Sequence, residues 1–439
     1  MSKSSNRKSV GLLPQSYALP ANVAHDKFDQ QALHIIDVLQ KAGFDAYIVG
    51  GGVRDLLIGK APKDFDVATN AKPEEIRGLF SNCRLIGKRF RLAHIYYRRH
   101  IIEVATFRAS HKNVKGSHDL VTKEGMVKRD NVFGSLEEDA SRRDFTLNAL
   151  YFDPNTAMII DYATGFSDIE EGVIRTIGDP VVRFQEDPVR ILRAIRFKTK
   201  LGFTIDALSE QAIAETHPCL RLVSHSRLFE EYRKLFFNGR AYENFYALHH
   251  YEALGHLFPL TVKYLEDDTF SAFVDRALHN TDERVIRALG VNPAFLMACF
   301  LWPEFKARYQ LKMKTERLPL MTAVHAAAGE VIGEQLKFIG MPKRYSLLIK
   351  KMWVLQFALE KRIPKRISRL LLNRHFRAAY DFLLLRVILK EVPASLGQWW
   401  TDIQAESETD KTKRINALKR HTYKPRSKKK QHEHKTTKD

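Results

Sequence analysis

From His25 to Ala42 the apolar residues Phe28, Ala32, Ile35, Ile36 and Leu39 recur at the spacing of one helix face, and Gly43 supplies a stop. The run Ala46-Tyr47-Ile48-Val49 then predicts a buried strand, leading through Gly50-Gly51-Gly52 into a helix from Val53 to Ile58. A second strand, Asp64 to Ala68, follows the turn at Lys60-Ala61-Pro62. Lys72 to Phe80 predicts a helix with Pro73 in its first turn, and Leu85-Ile86, Ala93 to Tyr97 and Ile101 to Thr106 predict further strands. The polar stretch from Arg108 to Asn131 predicts a long mobile loop, and the mixed region closes near Asp153-Pro154. Beyond about Phe184 the period becomes helical and stays so. Pro188 to Lys200, Arg227 to Asn238, Thr269 to Leu278, Glu283 to Leu289, Leu318 to Phe338, Tyr345 to Lys361 and Arg377 to Leu389 all carry it, with Trp399 and Trp400 near the end of the ordered region.

The pattern therefore predicts an α+β fold, a mixed head followed by helices. The boundaries it suggests are a flexible arm at 1–24 broken by Pro14 and Pro20, a head at 25–155, a neck at 156–225, a helical body at 226–405 and a tail at 406–439. Charge adds a partner class. The chain carries 71 Lys and Arg against 51 Asp and Glu, a formal +20, and such an excess suits a polyanion. Nucleic acid is the first candidate, with an anionic membrane surface or plain solubility charge as the rivals. Half of the excess lies in 411–439, where 12 Lys or Arg face two acids. With few apolar residues, that tail is predicted to be disordered. Cys83, Cys219 and Cys299 lie far apart and suggest neither a disulfide framework nor a zinc site. The basic start, with no apolar core, does not resemble a secretory signal, and no stretch predicts a transmembrane helix, so a reducing cytoplasmic setting without a membrane is expected.

Chemistry enters at Asp64-Phe65-Asp66. Alternation along a strand points both carboxylates to one face while Phe65 enters the core. Two close like charges need a cation, and hard oxygen ligands suit Mg²⁺, although the usual reading of the tripeptide alone is a solvated turn or a helix cap. Gly51-Gly52 with Arg54, at a strand end and helix start, offers backbone N–H groups and a guanidinium to phosphate, or else forms a tight turn. Glu103, a charge inside the apolar run Ile101 to Ala105, is the candidate third metal ligand, unless it faces water at an edge. Placed on one helix, Glu186, Asp187, Arg190 and Arg193 share a face, where an Asp and an Arg can read a base edge or merely pair with each other.

Together these residues resemble a known family. Val49-Gly50-Gly51-Gly52-Val53-Arg54-Asp55, Lys63-Asp64-Phe65-Asp66-Val67-Ala68-Thr69, Arg142 to Ala149 and Glu186 to Phe197 are similar in order and spacing to the motifs of the class II nucleotidyltransferases, which comprise the bacterial poly(A) polymerases and the tRNA CCA-adding enzymes. The resemblance implies a polymerase-β-like head carrying the metals, then helical neck, body and tail. It implies ATP as substrate, two Mg²⁺ ions as cofactor and RNA 3′ ends as the acceptor. Asp64 and Asp66 match the metal-binding pair, Asp144 matches an acid treated as catalytic, and Arg143 matches the position that holds the nucleotide sugar and phosphates. Asp187 and Arg190 match the positions that read the base, beside Arg193. The body then becomes an RNA-binding region.

Two features favour the poly(A) branch. Leu85 to His94 resembles the form in bacterial poly(A) polymerases, where CCA-adding enzymes tend to have a small residue at the place of Arg91. The basic tail, with Lys413, Arg414, Lys419, Arg420, Lys428, Lys429 and Lys430, suits varied single strands held without sequence demand. The function expected is adenylate addition from ATP to RNA 3′ ends with release of pyrophosphate, promoting RNA decay alongside RNA-decay proteins. CCA addition to tRNA and a non-catalytic RNA-binding role are the alternatives.

Overall fold

The computed structural model describes residues 13–21, 23–87, 91–98, 100–109 and 132–422, so most of the expected loop and Lys428, Lys429 and Lys430 lie outside the described residues. Two compact units form, one of residues 1–236 and 243–257 and one of 237–242 and 258–439.

In the first unit the elements run β1 (Gln15–Ala18), α1 (Gln30–Lys41), β2 (Ala46–Val49), α2 (Gly51–Leu57), β3 (Asp66–Thr69), α3 (Pro73–Leu79), β4 (Cys83–Ile86), β5 (Leu92–Tyr97) and β6 (His100–Thr106). They continue with α4 (Leu136–Arg142), β7 (Leu150–Asp153), β8 (Met158–Asp161), α5 (Gly165–Glu171), β9 (Val173–Ile174), α6 (Pro180–Glu186) and α7 (Val189–Leu201), then β10 (Thr204–Ile205), α8 (Ala207–Thr216) and α9 (His225–Phe236). One sheet of eight strands dominates, in the order β1-β8-β7-β2-β3-β6-β5-β4. Its neighbours are antiparallel except for β3 and β6, which run parallel in the register Asp66 to Glu103. Helix α1 starts where Asp29 accepts from the N–H groups of Gln31 and Ala32 at 2.8 and 3.0 Å. It buries Ala32, Ile35, Ile36 and Leu39 and packs against β2 and β3.

The second unit is helical. While α10 (Ala241–His250) lies mostly in the first unit and α11 (Leu254–Leu257) wholly in it, the second holds α12 (Pro259–Val262), α13 (Asp268–Ile286), α14 (Pro293–Phe300), α15 (Trp302–Thr315), α16 (Leu320–Gln335) and α17 (Lys343–Lys361). The last four are α18 (Pro364–Leu371), α19 (Phe376–Ile388), α20 (Ala394–Ala405) and α21 (Glu408–Thr422). Trp400 is fully buried in the cluster between α17, α19 and α20, its indole N–H donating to the Leu359 carbonyl at 3.0 Å. No described helix is long and apolar enough to cross a membrane. The three cysteines are free, and Cys299 is buried.

Several expectations change. The N-terminal segment is not wholly an arm: Gln15–Ala18 joins the sheet beside β8, and Tyr17 stacks on Phe166 at 4.2 Å. The sheet also continues past 155, since β8 is part of it. Helix α13 is continuous where two helices were expected. Asp282, at the expected break, is buried and accepts from the N–H groups of Ala241 and Tyr242 at 2.6 and 3.0 Å. The tail expected to be disordered begins as α21. Ile415 and Leu418 pack against the Trp400 cluster, and Glu408 and Asp410 occupy the first turn, where negative charge favours a helix.

Candidate active site

The turn from β2 to α2 builds one wall. Gly50 has φ 75°, and a Cβ there would lie 3.4 Å from Arg143 Nη1. Gly52 answers to packing, because its Cβ would lie 2.9 Å from the Phe65 ring. Gly52→Ala is expected to cost about 1 kcal/mol, because a core ring must shift by a few tenths of an ångström. A denaturant melt of the variant against the parent checks this; an unchanged midpoint overturns the packing role.

Phe65 is buried while Asp64 and Asp66 are exposed, so both carboxylates leave the core, although the strand begins at Asp66 and not at Asp64. The parallel register brings Glu103 alongside Asp66 from β6. Asp66 keeps solvent access yet lies low among protein atoms. Desolvation, then Glu103 and Asp64, push its carboxyl up to about 6, with Arg143 opposing. His94 approaches Glu103 at 3.5 Å. Among the described residues no group of three or more acids, histidines or cysteines is already close enough to hold a metal ion. The donor set nevertheless suits a hard cation, because Glu103 and Asp64 both add negative charge at the desolvated Asp66 carboxylate and Arg143 only partly offsets it.

Arg143 is held from behind. Its Nη2 pairs with Asp139 at 3.0 Å, its Nε donates to the Tyr151 hydroxyl at 2.9 Å, and that hydroxyl donates to Asp139 at 2.7 Å. A cleft of about 310 Å³ gathers Asp66, Glu103, Arg108, Arg142, Arg143 and Arg190. An adjoining cleft of about 570 Å³ shares Arg108 and Arg190 and adds Asp144, Asp187, Arg193 and Arg227. Asp144 thus stands on the second side, not with Asp66. It accepts from Arg193 Nε at 2.6 Å, Asn148 Nδ2 at 3.0 Å and the Phe145 N–H at 2.9 Å. Burial opposes its charge, but Arg193 and Asn148 outweigh it and hold the carboxyl down at about 2.

Two expected roles are corrected. Arg54 does not face a phosphate: its side chain is 4% exposed, and it donates to Asp55 at 2.8 and 2.5 Å and to Asn148 at 2.6 Å. Glu186 and Asp187 do not share a helix with Arg190, because α6 ends at Glu186 and Asp187 is extended before Pro188. Asp187 pairs with Arg227 at 2.9 Å, while Arg190 donates to the Arg183 carbonyl at 2.8 Å and approaches Glu186 at 3.6 Å. Of the described tail cations, Lys413 stays exposed in a surface pair with Asp410 at 3.0 Å, and Arg414 bridges to Asp402 at 3.4 Å and to Glu406. The side chains of Lys419 and Arg420 lie outside the described residues.

Sequence reasoning missed Asp139, Tyr151, Arg183 and Arg227. A signal existed for Asp139, four residues before Arg143 at the spacing of a helical ion pair. Arg183 had none, since its work is with backbone: Nη2 donates to the carbonyls of Arg142 and Arg143 at 2.5 and 2.9 Å.

Residues 46–175 match the profile of the poly A polymerase head domain, residues 202–265 that of the probable RNA and SrmB-binding site of polymerase A, and residues 316–436 that of the polymerase A arginine-rich C-terminus. Poly(A) polymerase I of Haemophilus influenzae is 42% identical over 407 residues, which are 91% of this chain and 90% of that one. A CCA-adding enzyme of Lactobacillus helveticus is 38% identical over 205 residues, 47% of this chain and 49% of its own. The structure of a Thermotoga maritima CCA-adding enzyme in complex with tRNA shares the fold at TM-score 0.55 and 19% identity, covering 90% of this chain and 97% of that one.

Proposed function

We propose a division of labour for the site of this chain, which belongs to the bacterial poly(A) polymerase family and is a nucleotidyltransferase that adds poly(A) without a template. The observation that carries the proposal is the β3–β6 register, which sets Asp66 against Glu103 with Arg143 beside them. Asp64, Asp66 and Glu103 would hold Mg²⁺, two ions in this reading. Bound there, the metal would supply positive charge for a 3′ hydroxyl losing its proton and for a departing pyrophosphate. Arg143, immobilised by Asp139 and Tyr151, presents its guanidinium to the triphosphate of ATP without the entropy cost of ordering it at each turnover. Gly51 and Gly52 leave uncapped N–H groups at the start of α2.

Adenine selection falls to the adjoining cleft. Arg190 is fixed by the Arg183 carbonyl and Glu186, and Asp187 by Arg227, so donor and acceptor face a base in set orientations. Arg190→Ala is expected to reduce discrimination between ATP and CTP by about tenfold, the worth of roughly one good base-edge contact. Competitive incorporation checks it; a variant still as strict for ATP returns Arg190 to a structural ion pair.

The acceptor is an RNA 3′ end, the place of work the cytoplasm, and RNA-decay proteins the associates that fit such a product. The purified chain is tested with oligo(A), with tRNA lacking its terminal CCA, Mg²⁺ and each nucleoside triphosphate. Long A tracts on oligo(A) support the proposal. Addition that stops after C-C-A on the tRNA supports the CCA alternative, and no product supports a non-catalytic RNA-binding role.

A further inference from the structure

The second unit contains a cleft of about 790 Å³ that the catalytic site does not use, walled by α13, α14 and α19. Arg276, Arg284, Arg287, Arg374 and Arg377 line it, and all five are exposed. Only two acids share the lining, and each is already engaged: Glu283 with Arg287 at 2.6 Å, and Asp381 with Arg377 at 3.1 Å. Arg284 spends two donors on the Gly290 carbonyl, at 3.1 and 2.7 Å, which fixes the plane of its guanidinium. Arg276 forms no ion pair among the described residues. Burial first, then Lys351 and Arg374, lower the pKa of His375. The inner lining is apolar, with Phe295, Leu348, Leu385 and Ile388, and Phe295 is partly exposed.

We infer that this cleft is an RNA-binding site that takes one or two unpaired nucleotides upstream of the growing 3′ end. Arginine forks match phosphate oxygens, and an apolar floor with a partly exposed aromatic side chain receives base faces irrespective of sequence. A duplex hides those faces, so the occupant is single-stranded. The volume lies within the roughly 300–1,000 Å³ usual for a small-ligand site, enough for a nucleotide or two and too little for a folded stem. Residues 276–295, half of its wall, fall between the segments that match family profiles. The inference rests on the chain acting on RNA.

The test uses the full chain and its Arg276→Glu variant, chosen because Arg276 is exposed and unpaired, with Phe295→Leu as a second variant that keeps the packing. Incorporation of AMP is followed on a twenty-nucleotide oligo(A), and affinity for the same RNA is measured across salt. Arg276→Glu is expected to raise the KM for RNA about fivefold to tenfold, leave kcat at saturating RNA within twofold, and flatten the salt slope by about 0.7 or more, the counterion share of one single-strand phosphate. Phe295→Leu raises the KM with an unchanged slope, and a photo-reactive base in the RNA crosslinks to residues 276–295 or 374–388. Unchanged KM and slope in an active Arg276→Glu enzyme overturn the inference. So does an acidic peptide that occupies the cleft and is not displaced by RNA, which would assign it to a protein partner. A parent enzyme that adds no nucleotide to any RNA refutes the catalytic proposal instead.

Discussion

Asp66→Ala should abolish nucleotide addition, by a thousandfold or more, while affinity for oligo(A) stays within twofold. A thousandfold is about 4 kcal/mol of transition-state stabilisation, the scale of removing a central charge from a phosphoryl-transfer site. Asp66 is the carboxylate that the fold itself strains. Its folded pKa, about 6, lies above its unfolded value, so the folded state prefers it protonated. Above pH 6, without divalent cation, the ionised carboxylate therefore weakens the fold. The variant should melt at or above the parent temperature at pH 8, and the difference should vanish below about pH 4. Assaying incorporation, RNA binding and melting together checks both halves. Retained incorporation would remove Asp66 from the metal set, and a large drop in melting temperature would mean that the residue holds the fold instead.

Asp144→Asn should lower the stability of the first unit by roughly 2–3 kcal/mol near neutral pH, the worth of a depression from 3.8 to about 2. The sign follows from the direction. A carboxyl held below its unfolded value contributes in full above about pH 4, and the contribution fades as pH falls toward 2. The gap between variant and parent should therefore close over that window in acid melts. Function separates two roles for the same residue. If Asp144 acts by holding Arg193 in the cleft, then Asp144→Asn and Arg193→Ala each raise the KM for ATP, and the double variant raises it little further. A collapse of kcat in Asp144→Asn alone would place the carboxylate in contact with the reacting atoms. The three donors already on it favour the positioning role.

Much of the site was legible in the sequence because strand alternation is local. Ala46 to Val49, the glycine turn and the outward Asp66 required no tertiary information. The registration of Glu103 against Asp66 was not legible, since strand pairing is a long-range fact. Other misses had local signals. Pro188 forces the residue before it away from helix, which should have ended the helix at Glu186 and detached Asp187 from the face carrying Arg190. The apolar runs Leu150 to Phe152 and Met158 to Ile160 were readable as strands, but Asp153-Pro154 between them looked like a boundary rather than a hairpin end. Arg54 misled because an arginine after glycines suggests phosphate, whereas the short helix turns it inward onto Asp55 and Asn148. The tail misled through composition: charge dominates it, yet two apolar residues three apart dock its first half.

The parallel pairing of β3 with β6 also governs when the enzyme becomes competent. A parallel neighbour needs a crossover, and here the crossover consists of α3, β4 and β5. Asp66 and Glu103 therefore meet only after that whole excursion has closed, and such non-local closure is slow compared with helix formation. On refolding from denaturant, helical signal should return first and polymerising activity last. The catalytic centre thus serves as a late checkpoint: a chain folded everywhere except across β3 and β6 has its helices and its RNA-attracting charge but cannot yet extend an RNA.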